Sequence, residues 1–293
     1  MSKLIASLLF CTSLISQAQD SLPVRQADMP SKKRLNWVRY GGLATYAVGM
    51  VGLNQLWYNQ SPRTSFHFFN DGPEWKQVDK VGHFFTAFHL SSTTYQSLKW
   101  AGSKESKRAL TSALVGFTVL SSIEIFDGFS PDYGASLTDL AANATGSILF
   151  WGQMAGWKEV RIHPKFSFGH SGLARQNPNL LGSNWSEELF KDYNGQTYWL
   201  SIDMNKFMSF PKWLNLAVGY GATNMVRARD SENAVLGYSP FRQYYLSIDF
   251  DLTSIKTRSK FLKGVIYFVN MVKLPAPTLE LSNGKLKGHI LYF

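Results

Sequence analysis

Three stretches of this chain set acids, an amide and a histidine into otherwise apolar segments. They are Asp79-Lys80-Val81-Gly82-His83-Phe84, Glu124-Ile125-Phe126-Asp127, and the run from Ser136 to Gly146 that carries Asp139 and Asn143. Burying such groups is expensive unless they pair, so the three stretches are expected to meet. On a helix, Asp79 and His83 stand at i and i+4 and share a face. Asp139, Asn143 and Gly146 stand at i, i+4 and i+7, again on one face, and Glu124 and Asp127 at i and i+3. Together with Lys80 these residues form the candidate ligand-binding site: Asp79, Lys80, His83, Glu124, Asp127, Asp139 and Asn143. Such a set can hold a divalent cation, grip a polar headgroup, or use His83 for acid/base chemistry. The candidate catalytic residues are His83, Asp79 and Glu124. The sequence assigns no cofactor, although the donor set is compatible with a divalent cation.

Each residue also has a plainer reading. An Asp–His pair one turn apart is commonly a local hydrogen bond. Asp139 near a helix start can satisfy the helix dipole. Asn143 can be an inter-helix hydrogen bond, and Glu124 and Asp127 can cap a helix end. It is their joint presence on three apolar helices that argues for a shared site. His67, His89, His163, His170 and His289 show no ligand spacing and read as structural or exposed.

Four helices must position these residues. The first is an apolar run over about 35–58, bracketed by Trp37 and Trp57. Its length would span a bilayer, but Asn54 and Gln55 weaken that reading and make a buried or membrane-lying helix a close alternative. The others are expected over 74–100, 107–126 and 137–157. Ser136 with Asp139 three residues on resembles a capping box. One bundle of four apolar helices over residues 35–157 is the expected arrangement.

Beyond Lys158 the pattern changes from a period near 3.6 to a period of 2. Over 244–252 the even positions are apolar, while Ser247, Asp249 and Asp251 face the other way, on what reads as a solvent face. Residues 198–204, 214–221 and 286–293 are further strands, and Asn283-Gly284 signals a tight hairpin. A helix face through Phe261, Val265, Phe268, Val269 and Val272 interrupts the strands, and a short helix is expected over 186–193. The fold class is therefore α+β, with a mainly antiparallel β-rich half over 158–293. The ending Leu291-Tyr292-Phe293 resembles that of outer-membrane β proteins. The strands look few and irregular for a transmembrane barrel, so a half-buried sheet is favoured over a membrane-embedded unit.

The N-terminus reads as a secretory signal over residues 1–18: Met1-Ser2-Lys3, an apolar core over 4–15, then Ser16-Gln17-Ala18. Residues 19–34 read as a linker. Cys11, the only cysteine among 293 residues, follows Phe10 rather than a small residue, unlike a lipoprotein signal. Cleavage after Ala18 would remove it, and with it disulfides and thiolate chemistry. Aromatics make up 15% and the net charge is +10. That balance, without any nucleic-acid motif, points to anionic lipid or an envelope polymer. No Walker loop, dinucleotide-binding glycine pattern, nucleophile elbow or His-Glu-x-x-His is present.

At Asp79, Lys80, His83 and Phe84, at Glu124, and at Asp139, Asn143 and Gly146, the chain resembles the YfiM-like family of predicted periplasmic lipoproteins, and more distantly the VanZ-like membrane proteins. The resemblance covers roughly residues 35–157 and implies an envelope location and a polar helical site rather than a reaction. The expected protein is exported to the periplasm or outer membrane of a Gram-negative bacterium. Its expected partner is membrane lipid or an envelope protein, not nucleic acid. Two activities compete: binding of lipid or a membrane partner through the helical site, and metal-assisted or His83-dependent hydrolysis of a phospholipid or lipid-linked substrate.

Overall fold

The computed structural model describes residues 31–55, 62–131 and 133–293. The signal peptide, most of the linker and Trp57 lie outside them. The fold is α+β, and the described chain divides into two units. One holds the residues up to Gly72 with His83–Glu159; the other holds Pro73–Gly82 with Val160–Phe293.

The first unit is helical: α1 (Lys32–Leu53), α2 (Val78–Trp100), α3 (Glu105–Asp127) and α4 (Leu137–Gly156). Ser31 caps α1 by accepting from the Arg34 N–H at 3.4 Å, so Lys32, Lys33 and Arg34 open a helix rather than close a linker. Two glycines let α2 approach its neighbours. A Cβ on Gly116 of α3 would lie 2.9 Å from the Ala87 carbonyl oxygen, and one on Gly146 of α4 only 2.2 Å from that of Phe84. Phe88, Leu120, Phe150 and Met154 fill the interior, with the Phe88 and Phe150 rings edge to face at 5.8 Å. α1 is tied on by Tyr46, whose hydroxyl donates to Ser122 at 2.8 Å, and by Arg34, which donates to the Trp100 carbonyl. The outer surface of α1 is apolar, with Trp37, Tyr40, Leu43, Val48 and Val51 exposed. Among the described residues one helix, α3, is long and apolar enough to cross a membrane by length and composition, a test that core helices also pass.

α2 begins at Val78 instead of Glu74. Trp75, Lys76 and Gln77 have φ of 48°, 52° and 65°, a left-handed turn that L residues adopt at a cost. Packing offsets it. Trp75 and Val78 are buried among Ala174, Leu181, Ala222 and Met225, which joins this segment to the second unit.

The second unit is a six-stranded antiparallel sheet in sequential order. Its strands are β1 (Ile162–Phe168), β2 (Gln196–Ile202), β3 (Leu214–Thr223), β4 (Phe241–Phe250), β5 (Ala276–Ser282) and β6 (Lys285–Tyr292). Helices α5 (Trp185–Lys191) and α6 (Lys260–Val269) fall between strands. The Asn283-Gly284 hairpin is present, with φ of 48° and 69° as a two-residue primed turn requires.

The faces of the sheet reverse the sequence expectation. Ser247 and Asp249, read as solvent-facing, are buried, while their apolar neighbours Tyr244, Leu246 and Ile248 are exposed. β3 and β5 repeat this: Asn215, Thr278, Glu280 and Ser282 are inside, and Leu216, Val218, Leu279 and Leu281 outside. Asp251 is buried too, accepting from the Thr253 N–H and hydroxyl at 2.9 and 2.6 Å.

Curvature makes the polar interior. Flat strands are spaced by about 4.8 Å, so β2 and β6 would stand about 19 Å apart. Instead the Trp199 and Tyr292 rings are 6.0 Å apart, and the Tyr292 hydroxyl donates to that of Tyr245 at 2.6 Å. Within this interior Lys165 pairs with Asp249 at 2.6 Å and donates to Asn270 and the Phe250 carbonyl, and Ser201 donates to Asp249 at 2.7 Å. Trp199 lies where Gly219 leaves room, since a Cβ there would stand 2.6 Å from the indole.

Three stability outcomes follow. Gly146→Ala should lower stability by about 1–3 kcal/mol through overpacking, whereas Gly152→Ala, with nothing within 4 Å, should raise it by about 0.5–1 kcal/mol. Asp249→Ala should cost about 3–5 kcal/mol by stranding Lys165. Thermal melts in detergent, followed by circular dichroism, measure all three.

Candidate functional site

Four of the seven candidate residues converge inside the helical unit. His83 comes from α2, Glu124 from the last turn of α3, and Asp139 and Asn143 from the start of α4. One donor atom each from His83, Glu124 and Asp139 lies within 4.8 Å of the others, a spacing that could hold a metal ion.

Ser136 organises the two carboxylates. Its backbone N–H donates to Glu124 Oε2 at 3.1 Å, and its hydroxyl accepts from the Asp139 N–H at 3.0 Å. The capping contact expected from sequence is thus present. The same hydroxyl donates to Asp71 at 2.6 Å, and Thr138 donates to Asp71 at 2.8 Å. Asp71 is a supporting residue that sequence reasoning missed, because it lies in an aromatic-rich loop without helical spacing.

His83 Nδ1 lies 3.1 Å from Asn143 Oδ1. The amide oxygen accepts, so Nδ1 is the donor in this contact. Nε2 is 3.9 Å from Asp139 Oδ2, and Nδ1 is 4.0 Å from Glu124 Oε1, both beyond hydrogen-bond reach. Asn143 is fully buried and Glu124 is 2% exposed, yet Asn143 Nδ2 and Glu124 Oε1 have no hydrogen-bond partner. Burial, followed by the charge of Asp139, raises the Glu124 carboxyl to about 8, and the Ser136 N–H only partly opposes this.

The remaining three candidates are Asp79, Lys80 and Asp127. Asp79 and Lys80 belong to the second unit, where the Lys80 ammonium lies 2.7 Å from Asp79 Oδ2 and the Lys80 N–H donates to Oδ1 at 2.9 Å. Asp127 is half-buried one turn beyond Glu124 and acts on it through its charge.

The stretch from His67 in the loop to Trp151 in α4 encloses all of these residues. It matches a known family. Residues 67–151 match the model of the predicted periplasmic lipoproteins (DUF2279). The DUF2279 match includes His83, Glu124, Asp139, Asn143 and Gly146, the residues on which the sequence resemblance was drawn, and its description agrees with the exported location expected from the N-terminus. The β-rich residues 160–293 lie outside the DUF2279 match. No curated protein and no solved structure matches the chain.

Glu124 sets a pH dependence. Its carboxyl is raised in the folded state, so between about 4.5 and 8 the folded chain keeps a proton that the unfolded chain releases. Stability should therefore fall as pH rises through that window and level off above it. Glu124→Gln should flatten the slope. Urea midpoints across pH, measured in chelator-containing buffer, test this; equal slopes in both proteins would contradict it.

Proposed function

We propose that this is an exported envelope protein that associates with membrane lipid through its β unit and α1. The reversed sheet carries the reading. A sheet in water buries its apolar face, and exposed apolar patches on soluble monomers rarely exceed a few hundred Å². A sheet that faces lipid does the opposite, alternating apolar outward and polar inward. Here Leu216, Val218, Leu246, Ile248, Leu279 and Leu281 face out across three adjacent strands.

Helix α6 supports the same occupant. Phe261, Leu262, Val265 and Val269 are exposed beside Lys256, Arg258, Lys260 and Lys263. Apolar residues with a basic flank suit a helix lying at an anionic lipid surface. The net charge of +10 agrees with that, and so do Trp37 and Trp213, exposed amphipathic rings of the kind found at headgroup level.

Fractionation tests the reading. The protein should stay with membranes through high-salt and carbonate washes. Ile248→Arg and Leu279→Arg, placed on a lipid-facing strand, should each cost about 2–4 kcal/mol at mid-depth and reduce recovery in the membrane fraction. On a water-facing surface the same changes would stay within about 0.5 kcal/mol. Recovery of the wild type wholly in the soluble periplasmic fraction would refute the proposal.

A further inference from the structure

We infer that His83, Glu124 and Asp139 form a binding site for one divalent transition-metal cation of the zinc type, with Asn143 as its positioning residue. The inference stands apart from lipid association and concerns only the helical unit.

The donor set decides the class of ion. One imidazole nitrogen and two carboxylate oxygens form a mixed set that suits zinc and its first-row neighbours. Magnesium and calcium take oxygen ligands. The spacing is close to what such an ion needs. Tetrahedral bonds of about 2.0–2.2 Å set donor atoms roughly 3.3–3.6 Å apart, and His83 Nε2 stands 3.9 Å from Asp139 Oδ2, a separation that a small side-chain shift closes. The three donors come from three helices, so bound metal would cross-link α2, α3 and α4.

The independent observation is the pair of buried atoms without partners. Glu124 Oε1 is buried and unbonded while Oε2 is held by the Ser136 N–H, so the carboxylate is fixed with one oxygen left for a ligand. Leaving a buried polar atom unmet costs about 1–3 kcal/mol, and more for a charged one. A cation meets that need for Glu124 directly. Asn143 behaves as a metal-site amide should. Its Oδ1 takes the proton-bearing Nδ1 of His83, which turns the lone pair of Nε2 toward Asp139. Its Nδ2, fully buried and unbonded, remains to donate to an oxygen on the ion. Three protein donors leave at least one coordination position for water or another oxygen ligand.

The test uses the full chain, purified in detergent, stripped with EDTA and back-titrated separately with Zn²⁺, Co²⁺, Mg²⁺ and Ca²⁺. One equivalent of Zn²⁺ or Co²⁺ should bind, Co²⁺ should give visible d–d bands, and equal concentrations of Mg²⁺ or Ca²⁺ should not compete. Glu124→Gln keeps the size of the side chain and its bond to Ser136, so it tests the ligand without removing the support. It and His83→Gln should each weaken Zn²⁺ binding at least about 10-fold and abolish the Co²⁺ bands, and Asn143→Ala should weaken it about 10- to 100-fold, as outer-shell partners do. His170→Gln and His289→Gln, at the separate pairs with Glu188 and Glu280, should bind like the wild type. Absence of binding by the wild type overturns the inference. So does binding that survives Glu124→Gln unchanged, or that is lost with His289→Gln instead. Should His83→Gln fail to fold, Glu124→Gln and the Co²⁺ spectrum of the wild type still decide between these outcomes.

Discussion

A single serine at the entry to α4 supports two buried carboxylates by two different means. Ser136 gives its N–H to Glu124 and takes the N–H of Asp139 on its hydroxyl. The first contact fixes a side chain at the end of α3; the second starts α4. Since Asn143 lies one turn beyond Asp139, the position of His83 against Asn143 depends on where α4 begins. Gly146 completes the constraint one turn further on, where only a residue without a Cβ lets the Phe84 carbonyl approach. Asp139, Asn143 and Gly146 thus mark consecutive turns of one helix face whose register the Ser136 cap sets.

The two units solve the burial problem differently. In the helical unit Phe88, Leu120, Phe150 and Met154 share the interior with buried Ser91, Ser112, Ser147 and Gln153, and the carboxylates of Glu124 and Asp139 are its charged part. In the sheet, polar and charged groups share the interior with Trp199, Ala217 and Tyr245. Lys165 pairs with Asp249 and Asn270, and Ser201 with Asp249, behind a face of leucine, isoleucine and valine, while Asp249 Oδ1 has no hydrogen-bond partner. A buried ion pair is seldom a net source of stability, so the sheet gains less from its inside than an apolar core of the same size would. What an apolar outer face gains depends on the medium around it.

Much of this was legible in the residues. Acids and a histidine in apolar helices are costly to bury singly, and that cost alone brought His83, Glu124, Asp139 and Asn143 together. The cap at Ser136 and the Asn283-Gly284 turn could be read because each uses a residue chosen for one local geometry. Other features could not. Alternation along β4 separates two faces but carries no sign, so it does not say whether Ser247 and Asp249 face water or one another. β1 was not among the expected strands, since Pro164 and Lys165 break its alternation, and β5 was implied only by the hairpin that follows it, since Pro277 and Glu280 break an apolar pattern whose polar half proved to be the buried one. The left-handed run at Trp75, Lys76 and Gln77 has no local signal, since none of the three is glycine and tertiary packing of Trp75 imposes it. Helical spacing placed Asp79 one turn from His83 but could not show that the Lys80 ammonium lies against its carboxylate.

The alternation of the strands has a consequence for when the apolar surface exists. Along β3, β4 and β5 every outward leucine, isoleucine or valine is followed by a residue that ends up inside, and most of those are polar or small. No stretch of these strands offers the run of about 20 apolar residues that holds a segment in a bilayer. As a linear polymer this half of the chain is amphiphilic only at the scale of single residues, too fine for a lipid phase to sort. The surface becomes continuous once neighbouring strands pair in register and place Leu216, Ile248 and their neighbours side by side. It is a product of assembly, and the timing of that assembly fixes the moment at which a continuous apolar face first exists.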